Sequence, residues 1–273
     1  MSKMFDALRR AEAERKRKIE ETNPAPALER VMVPRVEPPV DAQAVRETDR
    51  AVPLREGPAA VDALSGDLVR ELGILRNSLE SRLEVGAKRV LLFTSAMHEE
   101  GVTTLAVAYS RLLAMHAHER VLLVELNARR PALGERLGIG PGDGLTHYFA
   151  DSRPLSSLVR HMSGDGFDVL RVGDPDPTQI QIHLEKVFPR LREEALRNYD
   201  TIIVDAPPVV LSPETPPLAP LVDGVIMVVS CGKTKRETVQ RSINLIEQFN
   251  GRVLGVVLNR KRYFIPDFIY RRL

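Results

Sequence analysis

Apolar runs alternate with amphipathic segments over most of the chain and predict its folded part. The amphipathic segments predict helices at 67–84, Thr103–His116, Ile180–Arg197 and Arg236–Phe249. Strands that are apolar throughout and alternate with helices are typical of a parallel sheet covered on both faces. We therefore predict a three-layer α/β domain with a ligand site beyond the carboxyl ends of its strands. The predicted strands are Arg89–Ser95, Arg120–Leu126, Phe167–Val172, Thr201–Asp205, Gly224–Ser230 and Arg252–Leu258.

Two segments of different composition precede this domain. Residues 1–21 are highly charged, without Gly or Pro, and predict a helix with a thin apolar stripe. This helix fits first a solvated helix, then a docking element for a partner protein, and last a membrane-surface helix, because its acidic residues dilute the basic ones. Residues 22–65 are rich in proline and poor in large apolar residues. Such a segment cannot bury enough surface to fold, so we predict a disordered linker.

Composition and charge exclude several classes of protein. The chain has 39 basic and 37 acidic residues, a net charge of +2, so nothing in the whole-chain charge indicates nucleic-acid binding. The absence of Trp argues against a stacking platform for single strands. A single cysteine, Cys231, excludes an internal disulfide framework and fits a reducing compartment. No apolar run is long enough to span a bilayer, so we expect a cytoplasmic protein.

The segment Ser95–Thr104 has the setting of a phosphate-binding loop. It lies between a predicted strand and a predicted helix, where backbone N–H groups can bind an anion and a Thr hydroxyl can bind Mg²⁺. The usual pattern ends in Gly-Lys-Ser/Thr, whereas this one ends in Gly101-Val102-Thr103. Loss of one hydrogen bond to a charged group weakens binding by roughly 10- to 150-fold. Glu99 and Glu100 are expected to add negative charge beside the site. Taken alone, the motif also fits a connection that binds nothing.

Polar residues follow two further strands at the same predicted edge of the sheet. Glu125, Asn127 and Arg130 follow the second strand, and Asp205 ends the strand Thr201–Asp205. An Asp at the end of a buried strand is suited to hold Mg²⁺ through water. It is equally suited to cap a helix or a turn.

As a set, these residues resemble the bacterial tyrosine kinase family, the cytoplasmic kinases of capsule and exopolysaccharide assembly. The family's second motif ends in Arg-Arg-Pro, as does Arg129-Arg130-Pro131. Its third motif, Asp-x-Pro-Pro, matches Asp205–Pro208. The likeness covers about 67–262, is specific as a set, and implies a P-loop NTPase-like fold. Related partition and cell-division-site ATPases share the sheet but usually carry a further lysine early in the loop, where this chain has Met97.

The chain departs from the family at the charged positions of its Walker motifs. The loop glycine and the loop lysine are replaced by Glu99 and Val102. The two acidic positions of the second motif are Glu125, longer by one methylene, and Asn127, which lacks the charge. The segment Leu75–Leu79 resembles the family's self-association segment, but its preceding Glu and Arg positions are Arg70 and Gly73. These changes point to a pseudokinase.

The resemblance implies ATP and Mg²⁺ as ligands, bound weakly or not at all. The roles it implies are nucleotide binding by Gly101, Thr103, Thr104 and Arg130, Mg²⁺ binding by Thr103 and Asp205, and catalysis by Asp205 and Glu125 if the chain is active. Arg130 or Lys233 is a candidate to replace the missing lysine charge. In the aromatic and basic tail, Tyr263 and Tyr270 are candidate phosphorylation sites, and a tail that packs on the body or on a partner is the alternative.

The resulting domain prediction has four parts: a charged helix (1–21), a linker (22–65), a kinase-like domain (66–262) and a tail (263–273). The first functional hypothesis is a degenerate scaffold or regulator of polysaccharide synthesis and export. The second is an active ATP-dependent tyrosine autokinase, and the third is a partition-type positioning ATPase or adaptor. The resemblance implies an inner-membrane polysaccharide co-polymerase or chain-length protein as partner, recruitment to the inner face of that membrane, and self-association. No nucleic-acid partner is expected.

Overall fold

A seven-stranded sheet forms the centre of the protein in our computed structural model. Its strands are β1 (Arg89–Ser95), β2 (Val121–Glu125), β3 (Arg160–Met162), β4 (Phe167–Leu170), β5 (Thr201–Asp205), β6 (Gly224–Ser230) and β7 (Val253–Asn259). They are ordered β3-β4-β2-β5-β1-β6-β7, and all neighbours are parallel except β3 and β4. The predicted parallel sheet is therefore confirmed. The antiparallel edge strand β3 was not predicted, because Arg160-His161-Met162 has no apolar run to mark it.

The helices lie on both faces of the sheet, as predicted. They are α1 (Gly66–Glu80), α2 (Val102–His116), α3 (Leu133–Leu137), α4 (Leu145–Ala150), α5 (Pro177–Asn198) and α6 (Arg236–Gln248), with 3₁₀ turns at Leu155–Ser157 and Pro216–Leu221. The four longer helices begin and end within a few residues of their predicted limits. The short helices α3 and α4 were not predicted, since each has fewer than two turns over which to show a periodicity.

Each face of the sheet has its own apolar core. Along β1, Val90 and Leu92 contribute to one core, which is shared with α4, α5 and α6. Leu91 and Phe93 contribute to the other core, which is shared with α1, α2 and α3. All four side chains are fully buried, which is why a strand at the centre of a three-layer domain is apolar throughout rather than alternating.

The structure describes residues 65–84, 86–151, 153–173 and 177–260. The predicted helix 1–21, the linker apart from Ser65, and the tail with Tyr263 and Tyr270 lie outside these residues. Within the described part, no helix combines the length and the apolarity needed to cross a lipid bilayer.

The strand order places the predicted site residues at one edge. β5 lies between β1 and β2, and Asp205 is in register with Phe93 of β1 and with Glu125 of β2. The loops that follow these three strands therefore meet at the carboxyl edge of the sheet, where a site of a doubly wound fold is expected.

Candidate functional site

The loop between β1 and α2 contains two residues with positive φ, Glu99 and Gly101. Gly101, the N-cap of α2, has φ 91°, and a Cβ there would lie 2.2 Å from the side-chain nitrogen of Asn259. That nitrogen donates a hydrogen bond of 2.8 Å to the carbonyl oxygen of Glu100. Only glycine fits this position. Glu99 has φ 63°, in the left-handed region that favours glycine, and this costs roughly 1–3 kcal/mol for a residue with a side chain.

Glu100 is turned into the protein and holds the loop in shape. It is only 1% exposed. One carboxylate oxygen accepts hydrogen bonds from the backbone N–H groups of Ala96 (2.9 Å) and Met97 (2.8 Å). The other accepts from the N–H of Ser230 (3.0 Å) and from the Thr234 hydroxyl. We expected Glu100 to add negative charge beside the site. It does line the cavity described below, but three backbone N–H groups and the Thr234 hydroxyl hold its carboxylate.

Glu99 does carry its charge to the surface. Its side chain is 71% exposed, and its carboxylate lies 3.9 Å from the Lys233 ammonium nitrogen. The charge of Lys233, one of the two candidates to replace the missing loop lysine, is therefore paired with Glu99. Lys233 is also absent from the residues that line the cavity described below.

Asp205 is the buried acid of the site. It is 2% exposed, and its Oδ2 atom has no hydrogen-bond partner. Burial is the main cause that raises its pKa, to about 7. The hydrogen bond from Thr103 lowers this pKa, the negative charge of Glu125 raises it, and the positive charge of Arg136 lowers it. An unpaired buried carboxylate oxygen beside a Thr hydroxyl is a donor set that Mg²⁺ accepts. The residues present therefore fit the predicted metal.

Glu125 is also fully buried, but its oxygens have backbone partners. Oε1 accepts hydrogen bonds from the N–H groups of Ala132 (2.7 Å) and Leu133 (2.8 Å), and Oε2 accepts from that of Val172 (3.2 Å). Glu125 thus holds the start of α3. Asn127 accepts a hydrogen bond of 3.2 Å from the N–H of Arg130.

A cavity of about 280 Å³ opens between these loops. It brings together most of the predicted residues: Gly101, Thr103, Thr104, Arg130 and Asp205. Glu125 does not line it. Arg136 and Arg260 line it without having been predicted. Arg136 lies on the unpredicted helix α3 and Arg260 directly after β7, so neither had a motif in the sequence that could have indicated it.

Comparison with known sequences gives two informative relatives, although no family model matches the chain. The chain is 25% identical over 188 residues to the tyrosine-protein kinase YwqD of Bacillus subtilis, covering 69% of the chain and 79% of YwqD. It is 25% identical over 200 residues to the tyrosine-protein kinase Etk of Escherichia coli K12, covering 73% of the chain and 27% of Etk. The chain is therefore similar in sequence to bacterial tyrosine-protein kinases. It spans about a quarter of the length of Etk.

Solved structures have the same fold. The kinase domain of E. coli Etk matches with a TM-score of 0.69 at 22% identity, and the match covers 82% of this chain and 90% of that domain. The VpsO kinase domain matches with a TM-score of 0.64 at 26% identity, and the match covers 71% of this chain and 96% of the VpsO domain. Cobyrinic acid a,c-diamide synthase from Mycobacterium smegmatis, solved with an ATP analogue and magnesium, matches with a TM-score of 0.55 at 20% identity. The match covers 64% of this chain and 78% of the synthase chain. The chain therefore has a P-loop NTPase-like fold.

Proposed function

We propose that this chain is a kinase-like scaffold or regulator of exopolysaccharide or capsule synthesis and export, with weak or absent use of ATP. One observation carries the proposal: Val102 occupies the lysine position of a loop that is otherwise shaped for phosphate. The changes at the second motif support it. The family uses acidic residues there for the metal and the attacking group, whereas Glu125 and Asn127 bind backbone N–H groups.

Nucleotide and Mg²⁺ have defined places in this proposal. In this proposal the backbone N–H groups at the start of α2 would bind a phosphate, and Thr103 and Asp205 would hold the metal. Bound Mg²⁺ would neutralise phosphate charge. The chain's own residues position the ligand, and without a loop lysine they provide less stabilisation for charge that develops in a transfer reaction.

The proposed partner is an inner-membrane polysaccharide co-polymerase, which would recruit the chain to the inner face of the membrane. This follows from the resemblance to the kinase family. Ile74 is one of several exposed apolar side chains among the described residues, and it lies on α1, the helix with the segment that resembles the family's self-association segment. Self-association through α1 is the second interaction that we propose.

Complementation together with phosphorylation tests the proposal. A strain that lacks the gene is supplied with wild-type protein or with Asp205→Ala, and polymer yield and tyrosine phosphorylation are measured. We expect both proteins to restore polymer synthesis equally, and mass spectrometry to find Tyr263 and Tyr270 unmodified after incubation of the purified chain with Mg²⁺-ATP. Loss of polymer with Asp205→Ala, combined with phosphorylated tyrosines in wild type, would instead establish the autokinase.

The active autokinase is the second candidate, and a specific observation favours it. Asp205 and Thr103 retain the family's chemistry, and Arg260, the last described residue, lines the cavity.

A further inference from the structure

Three arginines line the cavity in which the loop lysine is missing. They are Arg130, Arg136 and Arg260. Within the described residues, none of the three forms a salt bridge with a carboxylate, whereas the neighbouring Arg129 lies 3.8 Å from Glu214. Glu99, Glu100 and Asp205 also line this cavity, and Arg136 interacts electrostatically with Asp205. Guanidinium groups that converge on one cavity can bind an anion, because arginine binds phosphate oxygens in a bidentate manner.

Arg136 is the arginine whose position the fold controls most directly. It lies on α3, and the start of α3 is held by two hydrogen bonds to the buried carboxylate of Glu125. Glu125 is itself in register with Asp205 on the neighbouring strand. The residue that in the family serves the metal here serves to place α3, and with it Arg136, beside Asp205.

A second observation points independently to a ligand. The Oδ2 atom of Asp205 is buried, lacks a hydrogen-bond partner and belongs to the lining of the same cavity. A buried polar atom without a partner is costly, so it indicates a group that binds there. The cavity therefore combines acidic groups, among them Asp205 beside Thr103, with three arginines. Such a combination suits a polyphosphate with its divalent cation.

We propose that Arg136 supplies the positive charge that Val102 does not, so that the cavity binds the phosphates of a nucleoside di- or triphosphate through arginine instead of a loop lysine. The inference rests on the proposed function in that it concerns the same site. It adds to that function by naming the class of ligand that the cavity binds and the residue that binds it. Lys233 and Arg129 do not have this role, since each pairs with a glutamate and neither lines the cavity.

Calorimetric titration of the full chain with Mg²⁺-ADP and Mg²⁺-ATP tests the proposal. We expect Arg136→Gln to weaken binding by roughly 10- to 150-fold, the effect of losing one hydrogen-bonding cation from a phosphate. Arg129→Gln is the matched control in the neighbouring loop and should bind like wild type. Arg136 is exposed, so the thermal unfolding midpoint without nucleotide should be the same in both variants.

A double-mutant cycle with Val102→Lys tests whether Arg136 replaces the lysine. If it does, Val102→Lys should raise affinity several-fold more in the Arg136→Gln background than in wild type. An equal gain in both backgrounds would show that the two positions act independently and would overturn the replacement.

Unchanged affinity in Arg136→Gln, or equal weakening in Arg129→Gln, would also overturn the proposal. So would the failure of wild type to bind either nucleotide at millimolar concentration. That last result leaves the scaffold function standing, because polymer synthesis in the complemented strain is measured separately and does not depend on the titration.

Discussion

At the scale of single residues, burial changes the protonation of an acid in the site. Asp205 ends a buried strand, and burial raises its pKa to about 7. Between about pH 4, the ordinary value, and pH 7, the folded chain therefore keeps a proton that the unfolded chain has released. The contribution of Asp205 to stability falls as pH rises through this window and stays low above it.

Asp205→Asn should remove this pH dependence. We compare the stability of the variant with that of wild type at each pH. This difference should shift in favour of the variant by about 2–3 kcal/mol from pH 5 to pH 8, at roughly 1.4 kcal/mol per pKa unit, because only wild type loses stability over this range. Urea unfolding at both pH values, with EDTA present, measures the difference. A parallel pH profile for the two proteins would contradict the raised pKa.

Glu100 and Glu99 are adjacent in sequence but have opposite environments. Glu100→Gln replaces a carboxylate that accepts four hydrogen bonds with an amide that must place donor against donor. We expect a loss of about 1–3 kcal/mol in the free energy of unfolding. Glu99→Gln, at an exposed side chain, is the control and should leave it unchanged. Equal effects of both variants would show that Glu100 does not hold the loop.

At the scale of elements, α3 depends on one side chain of a neighbouring strand. A helix of five residues is not stable by itself, and Glu125 provides acceptors for the N–H groups of Ala132 and Leu133. The sequence identified Glu125 through its place in a motif. Its contacts with α3 depend on the path of the chain after β2, which no local pattern specifies.

Glu125→Gln should loosen α3 specifically. We expect hydrogen exchange to accelerate at the amides of Ala132, Leu133 and Val172, because the amide side chain loses one acceptor. Glu135→Gln, at an exposed position on the same helix, is the control. Unchanged exchange at the three amides would show that α3 is held by packing alone.

At the scale of the whole molecule, a charged network ties α1 to the sheet. Arg89, at the start of β1, donates two hydrogen bonds to Glu119 (2.8 and 3.0 Å), and Thr201 of β5 donates another (2.5 Å). Arg76 of α1 reaches the same carboxylate at 3.7 Å and pairs with Glu80 at 2.7 Å. Helix α1 is thus fixed to the sheet.

Glu119→Gln should break this network at its centre. Removal of one partner from a largely buried pair costs roughly 3–5 kcal/mol, because the remaining arginine charge is left uncompensated. Thermal and urea unfolding measure the loss. Arg197→Gln removes an exposed pair with Glu193 and should leave stability unchanged. A similar small effect in both variants would show that solvent screens the network.

The sequence by itself determined the layered fold and the edge of the sheet that carries the site. Strands buried on both faces must be apolar throughout, and the covering helices must be amphipathic, so β1, β5 and β6 could be placed to the residue. The motif residues Thr103 and Asp205 could also be assigned to one edge, because parallel strands that alternate with helices all end on the same side.

Only the tertiary structure decided where the charges of the site lie. Glu100 and Glu99 are equivalent in composition, yet one is buried among backbone donors and the other is exposed beside Lys233. Arg136 reaches the cavity through a short helix that is held by Glu125. A side chain's charge acts over distances set by long-range contacts, and local sequence patterns contain no information about those distances.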